Sequence, residues 1–141
     1  MNRYYAGIGS RETPEYVLKK MTKIANKLDR GFVLRSGGAK GADVAFEEGS
    51  TNKEIFTAND VTSEAVEFSS KFHPNWSACS DYAKKLHGRN AMILFGKDLN
   101  TPVEFIVCWT KSGKVTGGTG QALRIAKYYD IKVYNMGLFY E

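Results

Sequence analysis

The chain alternates short apolar runs with longer stretches whose apolar residues recur every three or four positions. Residues 3–8 read as a first strand. Val17, Leu18, Met21, Ile24, Ala25 and Leu28 then share one helical face, behind Thr13 as N-cap and Pro14 as first helical residue. Gly31 stops that helix, and Phe32, Val33 and Leu34 open a second, buried strand that ends at Arg35 and Ser36. Residues 42–48 suit a short helix ending near Gly49, and residues 54–57 a third strand. Thr62 or Ser63 caps a helix over 64–72, which the stretch from Phe72 to Trp76, with Pro74 inside it, breaks. Ala78, Cys79, Tyr82, Ala83 and Leu86 fit another helix that Gly88 interrupts, and residues 89–95 fit either a helix or an apolar strand. Residues 103–109 are apolar, β-rich and bounded by turn signals, hence a strand. Ala122, Leu123, Ala126 and Tyr129 form the inner face of a last helix, and residues 131–134 a last strand. The partly apolar tail should pack.

Strands alternating with helices predict an α/β fold: a parallel sheet of about five strands with helices on both faces. Three of the strand-to-helix turns carry glycine, at Gly7–Gly9, Gly37–Gly41 and Gly117–Gly120. In such a sheet these turns gather at the C-terminal edge of the strands, where ligands bind near the reversal of strand order. The richest is Ser36-Gly37-Gly38-Ala39-Lys40-Gly41-Ala42-Asp43. Its glycines leave backbone N–H groups uncovered, and the helix behind it turns its positive dipole end toward the same space. That arrangement favours an anion, most often phosphate. The spacing is neither that of the Walker loop nor that of the dinucleotide fingerprint, and a turn serving only the fold is the alternative.

Length and composition fit one domain over residues 1–141, with 43% hydrophobic and 25% charged residues. No apolar run approaches the roughly 20 residues that span a bilayer, and the first residues enter a strand without a signal-peptide core. The expectation is a cytoplasmic protein without a membrane partner. A net charge of +5 and a pI near 9.2 suit a phosphate-bearing partner, small or polymeric. Cys79 and Cys108 read as two buried thiols, and neither they nor His73 and His87 show metal-ligand spacing. No metal and no cofactor is expected.

Candidate phosphate contacts are Gly9, Ser10, Arg11, Ser36, Gly37, Gly38, Lys40, Gly41, Asp43, Gly117, Gly118 and Thr119. Arg11 can fork onto a phosphate. Ser10 and Ser36 can meet a phosphate or bond their own turns. Asp43 can pin the glycine turn or reach a ribose hydroxyl. Trp109 is placed to stack on a base, and Arg35 to reach the ligand or pair with Asp43. Trp76 has a base or the core as its two fates. Arg89 and Asn90 close the pocket or form a subunit contact.

Together, Gly7-Ile8-Gly9-Ser10-Arg11, Ser36 to Asp43 and Thr116-Gly117-Gly118-Thr119 resemble the SLOG superfamily of Rossmann-like domains, in its small stand-alone type found in phage and bacteria. That superfamily includes the Rossmann domain of the DNA-processing protein DprA and the LOG phosphoribohydrolases. The resemblance implies a three-layer Rossmann-like fold and three functions to weigh. The first is binding of a nucleotide or nucleotide-derived small molecule through the glycine turns, with Trp109 and Arg35 toward base and ribose. The second is DprA-like binding of single-stranded DNA, in keeping with the complete Ser-Gly-Gly-Ala-x-Gly-x-Asp turn. The third is LOG-like hydrolysis of nucleoside 5′-monophosphates. Against it, the LOG pattern has a glutamate after its Gly-Gly turn, and here Gln121-Ala122-Leu123-Arg124 follows, leaving Asp43, Glu47 or Glu104 to supply a carboxylate. The resemblance also suggests a homodimer.

Overall fold

The computed structural model describes residues 2–141. Among them, β1 (Tyr4–Gly7), β2 (Val33–Ser36), β3 (Lys53–Ile55), β4 (Phe105–Cys108) and β5 (Lys132–Asn135) form one sheet in the order β3-β2-β1-β4-β5, with every neighbouring pair parallel. The expected α/β, Rossmann-like architecture is therefore the observed one. The chain builds outward from β1 to β3, then crosses back to place β4 on the other side of β1. Strand order reverses between β1 and β4, and such a switch point opens a crevice at the strands' C-terminal ends.

Side-chain alternation along each strand feeds two cores. On one face, Tyr5, Leu34, Val107 and Trp109 pack with Val17, Met21 and Ala25 of α1 (Glu15–Leu28) and with Ala42, Ala45 and Phe46 of α2 (Ala42–Glu48). On the other, Ala6, Ile106 and Cys108 meet Ala65 of α3 (Ser63–Ser70), Met92 and Ile93 of α4 (Asp81–Phe95), and Ala122 and Ile125 of α5 (Gly117–Tyr128). Each fully buried Leu, Ile, Met or Phe in these cores contributes about 1.5–3 kcal/mol. No helix of the described residues is long and apolar enough to cross a membrane.

Several boundaries differ from the sequence expectation for identifiable reasons. The N-cap of α1 is Pro14 rather than Thr13, whose hydroxyl instead donates to the Ser10 carbonyl and tightens the first glycine turn. Helix α4 runs unbroken through Gly88, so residues 89–95 are helical. A Cβ at Gly88 would stand 2.7 Å from Val61 Cγ2 and 2.9 Å from Val66 Cγ2, so the glycine marks close packing of α3 on α4, not a stop. Ser80 caps α4 by accepting from the Ala83 amide, which leaves Cys79 in the preceding turn, half-buried rather than in the core. Helix α5 begins at Gly117, so the third glycine turn is itself the helix's first turn.

Candidate functional site

A cleft of about 810 Å³ lies over the C-terminal ends of β1 and β4. The three glycine turns line it. Gly9, Ser10 and Arg11 come from the turn after β1; Gly37, Gly38, Ala39 and Asp43 come from the turn after β2; Gly117, Gly118 and Thr119 come from the start of α5. Helix α4 closes the remaining side with Tyr82, His87, Arg89 and Asn90, and Thr57, Thr110 and Lys111 complete the rim.

The start of α5 is the most exposed of the three turns. Thr116 holds the N-cap position without a side-chain bond, and the Gly120 amide makes the turn's bond to the Thr116 carbonyl. The amides of Gly117, Gly118 and Thr119 precede any intrahelical partner. Asn90 Nδ2 donates to the Gly118 carbonyl at 3.0 Å, which fixes this turn against α4. A Cβ at Gly118 would meet nothing within 4 Å, so the space above it is free for a ligand.

The second turn is built around Asp43. Gly38 has φ +69°, a conformation that costs an L-residue about 1–2 kcal/mol, and the exposed residue faces the cleft. Asp43 turns back from α2 and accepts from the Ala39 amide at 3.2 Å. Arg89 reaches across from α4 and donates from Nη1 to the Gly37 carbonyl at 3.0 Å. Gly37 lies between the two: a Cβ there would fall 2.2 Å from Arg89 Nη1 and 2.9 Å from Asp43 Oδ2. Burial pushes the Asp43 carboxyl up to about 6, against the pull of Arg89 and of the Ala39, Gly37 and Gly9 amides. Burial also draws the Arg89 guanidinium below the usual arginine value, with Asp43 opposing. Its Nε is enclosed without a hydrogen-bond partner among the described residues. Asp43 thus pins the turn, and Arg89 is a partly unsatisfied cation at the cleft floor.

Other candidates fall elsewhere. Ser36 is fully buried and donates to the Gly7 carbonyl at 2.6 Å, joining β2 to β1 rather than facing a phosphate. Gly41 is the N-cap of α2 with φ +95°, packed under Arg11 and outside the cleft lining. Ser10 lines the cleft, but its Oγ accepts from the Glu12 amide. Lys40 is exposed on the turn beside the cleft, and Arg11 is exposed on its wall.

The base and ribose contacts are corrected. Trp109 is 3% exposed and its indole N–H donates to the Tyr140 carbonyl at 2.8 Å, so no face of the ring is open for stacking. Strand alternation carries it, with Phe105 and Val107, into the α1/α2 core. Arg35 is 2% exposed. It pairs with Glu54 at 2.8 Å, donates to Thr101 and lies over the Tyr4 ring, and does not pair with Asp43. Of the carboxylates considered for hydrolysis, Asp43 is in the cleft, while Glu104 pairs with Arg3 and Glu47 with Lys53.

The sequence left out Tyr82, His87, Thr110 and Lys111, whose places depend on how α4 and the loop after β4 fold over the turns. It also set His73, Cys79 and His87 apart, whereas the structure brings one ligand-type atom of each within 4.8 Å of the others. Burial, with help from His73, Arg124 and Arg89, lowers the His87 imidazole to about 4, so the ring is neutral at pH 7.

No protein-family model matches the chain, and no curated protein matches it in sequence. Among solved structures it is similar to DNA processing protein A from Helicobacter pylori, described for a unique single-stranded DNA binding mode. The TM-score is 0.64 at 16% identity, over 94% of this chain and 64% of that one. The chain thus spans a little under two thirds of that protein's length, and what the two share is the Rossmann-like fold.

Proposed function

We propose that the chain binds single-stranded DNA, seating backbone phosphates on the amides of the Gly117–Thr119 turn and of Gly38, whose neighbours Gly37 and Ala39 are held by Asp43. The observation that carries this reading is the convergence of three glycine turns at the β1/β4 switch point, with the amides at the start of α5 open, in a cleft flanked by exposed Arg11, Lys40 and Lys111. Exposed cations on flexible stems suit a polymer, whose successive phosphates each find a partner, and the net charge of +5 favours the same partner. The shared fold with a protein described for single-stranded DNA binding supports it further.

The test is a salt titration of oligonucleotide binding, read by fluorescence anisotropy. With Arg11, Lys40 and Lys111 as contacts, log K against log salt has a slope of about −2, and loss of one of them brings it about 0.7 closer to zero. A slope near zero, or no binding at low salt, defeats the reading.

A nucleotide-derived small ligand is the second reading. Its support is the cleft volume of about 810 Å³, within the roughly 300–1,000 Å³ of small-molecule sites. On this reading AMP or ADP-ribose displaces the oligonucleotide at micromolar concentration, whereas on the first reading neither does.

A further inference from the structure

His73, Cys79 and His87 reach one another from three separate pieces of chain: the break after α3, the turn before α4, and α4 itself. Cys79 Sγ lies 3.6 Å from His73 Nε2 and 3.9 Å from its Nδ1. The two imidazole rings sit with centroids 4.8 Å apart. His87 Nδ1 is enclosed without a hydrogen-bond partner among the described residues. Cys79 is a free, half-buried thiol.

These separations suit a common central ion. With a metal–sulfur bond of about 2.3 Å and a metal–nitrogen bond of about 2.0–2.1 Å, a tetrahedral centre places sulfur and nitrogen about 3.6 Å apart. That is the Cys79–His73 separation before any ion is added. One thiolate with two imidazoles is a donor set for a borderline-soft divalent ion rather than for calcium or magnesium, which take oxygen. We propose that His73, Cys79 and His87 form a three-ligand site for a zinc-class divalent ion, with a fourth coordination position left open. His87 also lines the glycine-turn cleft, so the ion stands at the cleft wall.

Binding has a balanced proton count and a local cost. The Cys79 thiol releases its proton to solvent as the metal–sulfur bond forms. The Asn75 amide now donates to His73 Nδ1 at 3.0 Å. A metal on Nδ1 displaces that amide, and a metal on Nε2 moves the ring proton to Nδ1 and breaks the same bond. Residues 73–76 therefore shift on loading. Trp76, with its ring centroid 6.0 Å from His73 and 5.9 Å from His87, moves with them.

The test titrates the reduced, chelator-treated full chain with Co²⁺ and then with Zn²⁺. The expected result is one equivalent of Co²⁺ with a thiolate-to-cobalt charge-transfer band, tetrahedral ligand-field bands and a change in Trp76 fluorescence, all reversed as Zn²⁺ replaces cobalt. Cys79→Ser removes the charge-transfer band, and His73→Gln or His87→Gln weakens Co²⁺ by about tenfold or more. Cys108 gives no band of its own, because it is fully buried in the core with its thiol pushed up to about 12. Should Cys79→Ser fail to fold, the His87→Gln titration carries the decision. Absence of the band in the parent chain, or an unchanged spectrum in Cys79→Ser or unchanged affinity in His87→Gln, overturns the proposal.

Discussion

Replacing Arg89 by Met removes the cation that opposes burial of Asp43, and the size of the effect is set by a proton. The Asp43 carboxyl titrates at about 6 with Arg89 in place. Without Arg89 the ionised form is less stable, but the group escapes by taking up a proton. At pH 7, one unit above the folded value, that escape limits the Asp43–Arg89 coupling to about 1.4 kcal/mol. At pH 8 the ceiling is about 2.7 kcal/mol, and at pH 5 the coupling is below about 0.1 kcal/mol. Arg89→Met also loses the bond to the Gly37 carbonyl, but that loss is common to both arms of a double-mutant cycle with Asp43→Asn and cancels. Urea unfolding of the parent, both single variants and the double variant at pH 5, 6, 7 and 8 measures it. A coupling that grows with pH beneath those ceilings is the expected result. A coupling as large at pH 5 as at pH 8 refutes the reasoning.

Other expectations follow from the same geometry. The folded value of Asp43, about 6, lies above its ordinary 3.8, so the native chain holds this proton more tightly than the unfolded one. Its contribution to stability therefore falls by about 3 kcal/mol as pH rises from about 4 to about 6 and is level beyond, and Asp43→Asn abolishes that fall in a pH series of unfolding curves. Gly37→Ala drives a methyl into Arg89 and Asp43, and oligonucleotide affinity and thermal midpoint should drop together; an unperturbed variant would mean the turn is looser than described. Gly88→Ala forces α3 away from α4, and its overpacking cost of about 1–3 kcal/mol should exceed the helix-propensity gain of up to about 1 kcal/mol. Arg35→Met should lower stability, because Thr101 and Glu54 lose their donor, while leaving oligonucleotide affinity unchanged; a loss of affinity would return Arg35 to the site.

Much of this architecture was legible because β1, β2, β4 and the helix faces carry strong periodicity, and the glycine turns mark where each strand hands over to a helix. Trp109 shows a pattern only partly read. It sits two residues beyond Val107 and four beyond Phe105, so the alternation that buries those two buries it as well. Arg35 was decided by strand register. Parallel pairing sets it beside Glu54, and register between β2 and β3 is not visible in either strand alone. Gly88 looked like a break because local sequence records the missing side chain but not the neighbouring helix that needs the room. His73, Cys79 and His87 follow no ligand spacing, since a turn between α3 and α4 rather than one helix face brings them together. Arg89 is one charged residue among many until the fold sets it over Gly37.

The central claim is that backbone phosphates sit on the open amides at the start of α5, and Gly118→Val tests it most directly. A Cβ at Gly118 meets nothing within 4 Å, so the fold and thermal midpoint should hold while the side chain fills the phosphate position. A charge-assisted hydrogen bond contributes about 1.5–3 kcal/mol, so loss of one weakens oligonucleotide binding about tenfold or more. Anisotropy with a labelled single-stranded oligonucleotide at low salt should show that loss in a folded variant. Parent-like affinity in Gly118→Val would contradict the account and move the phosphates off this turn.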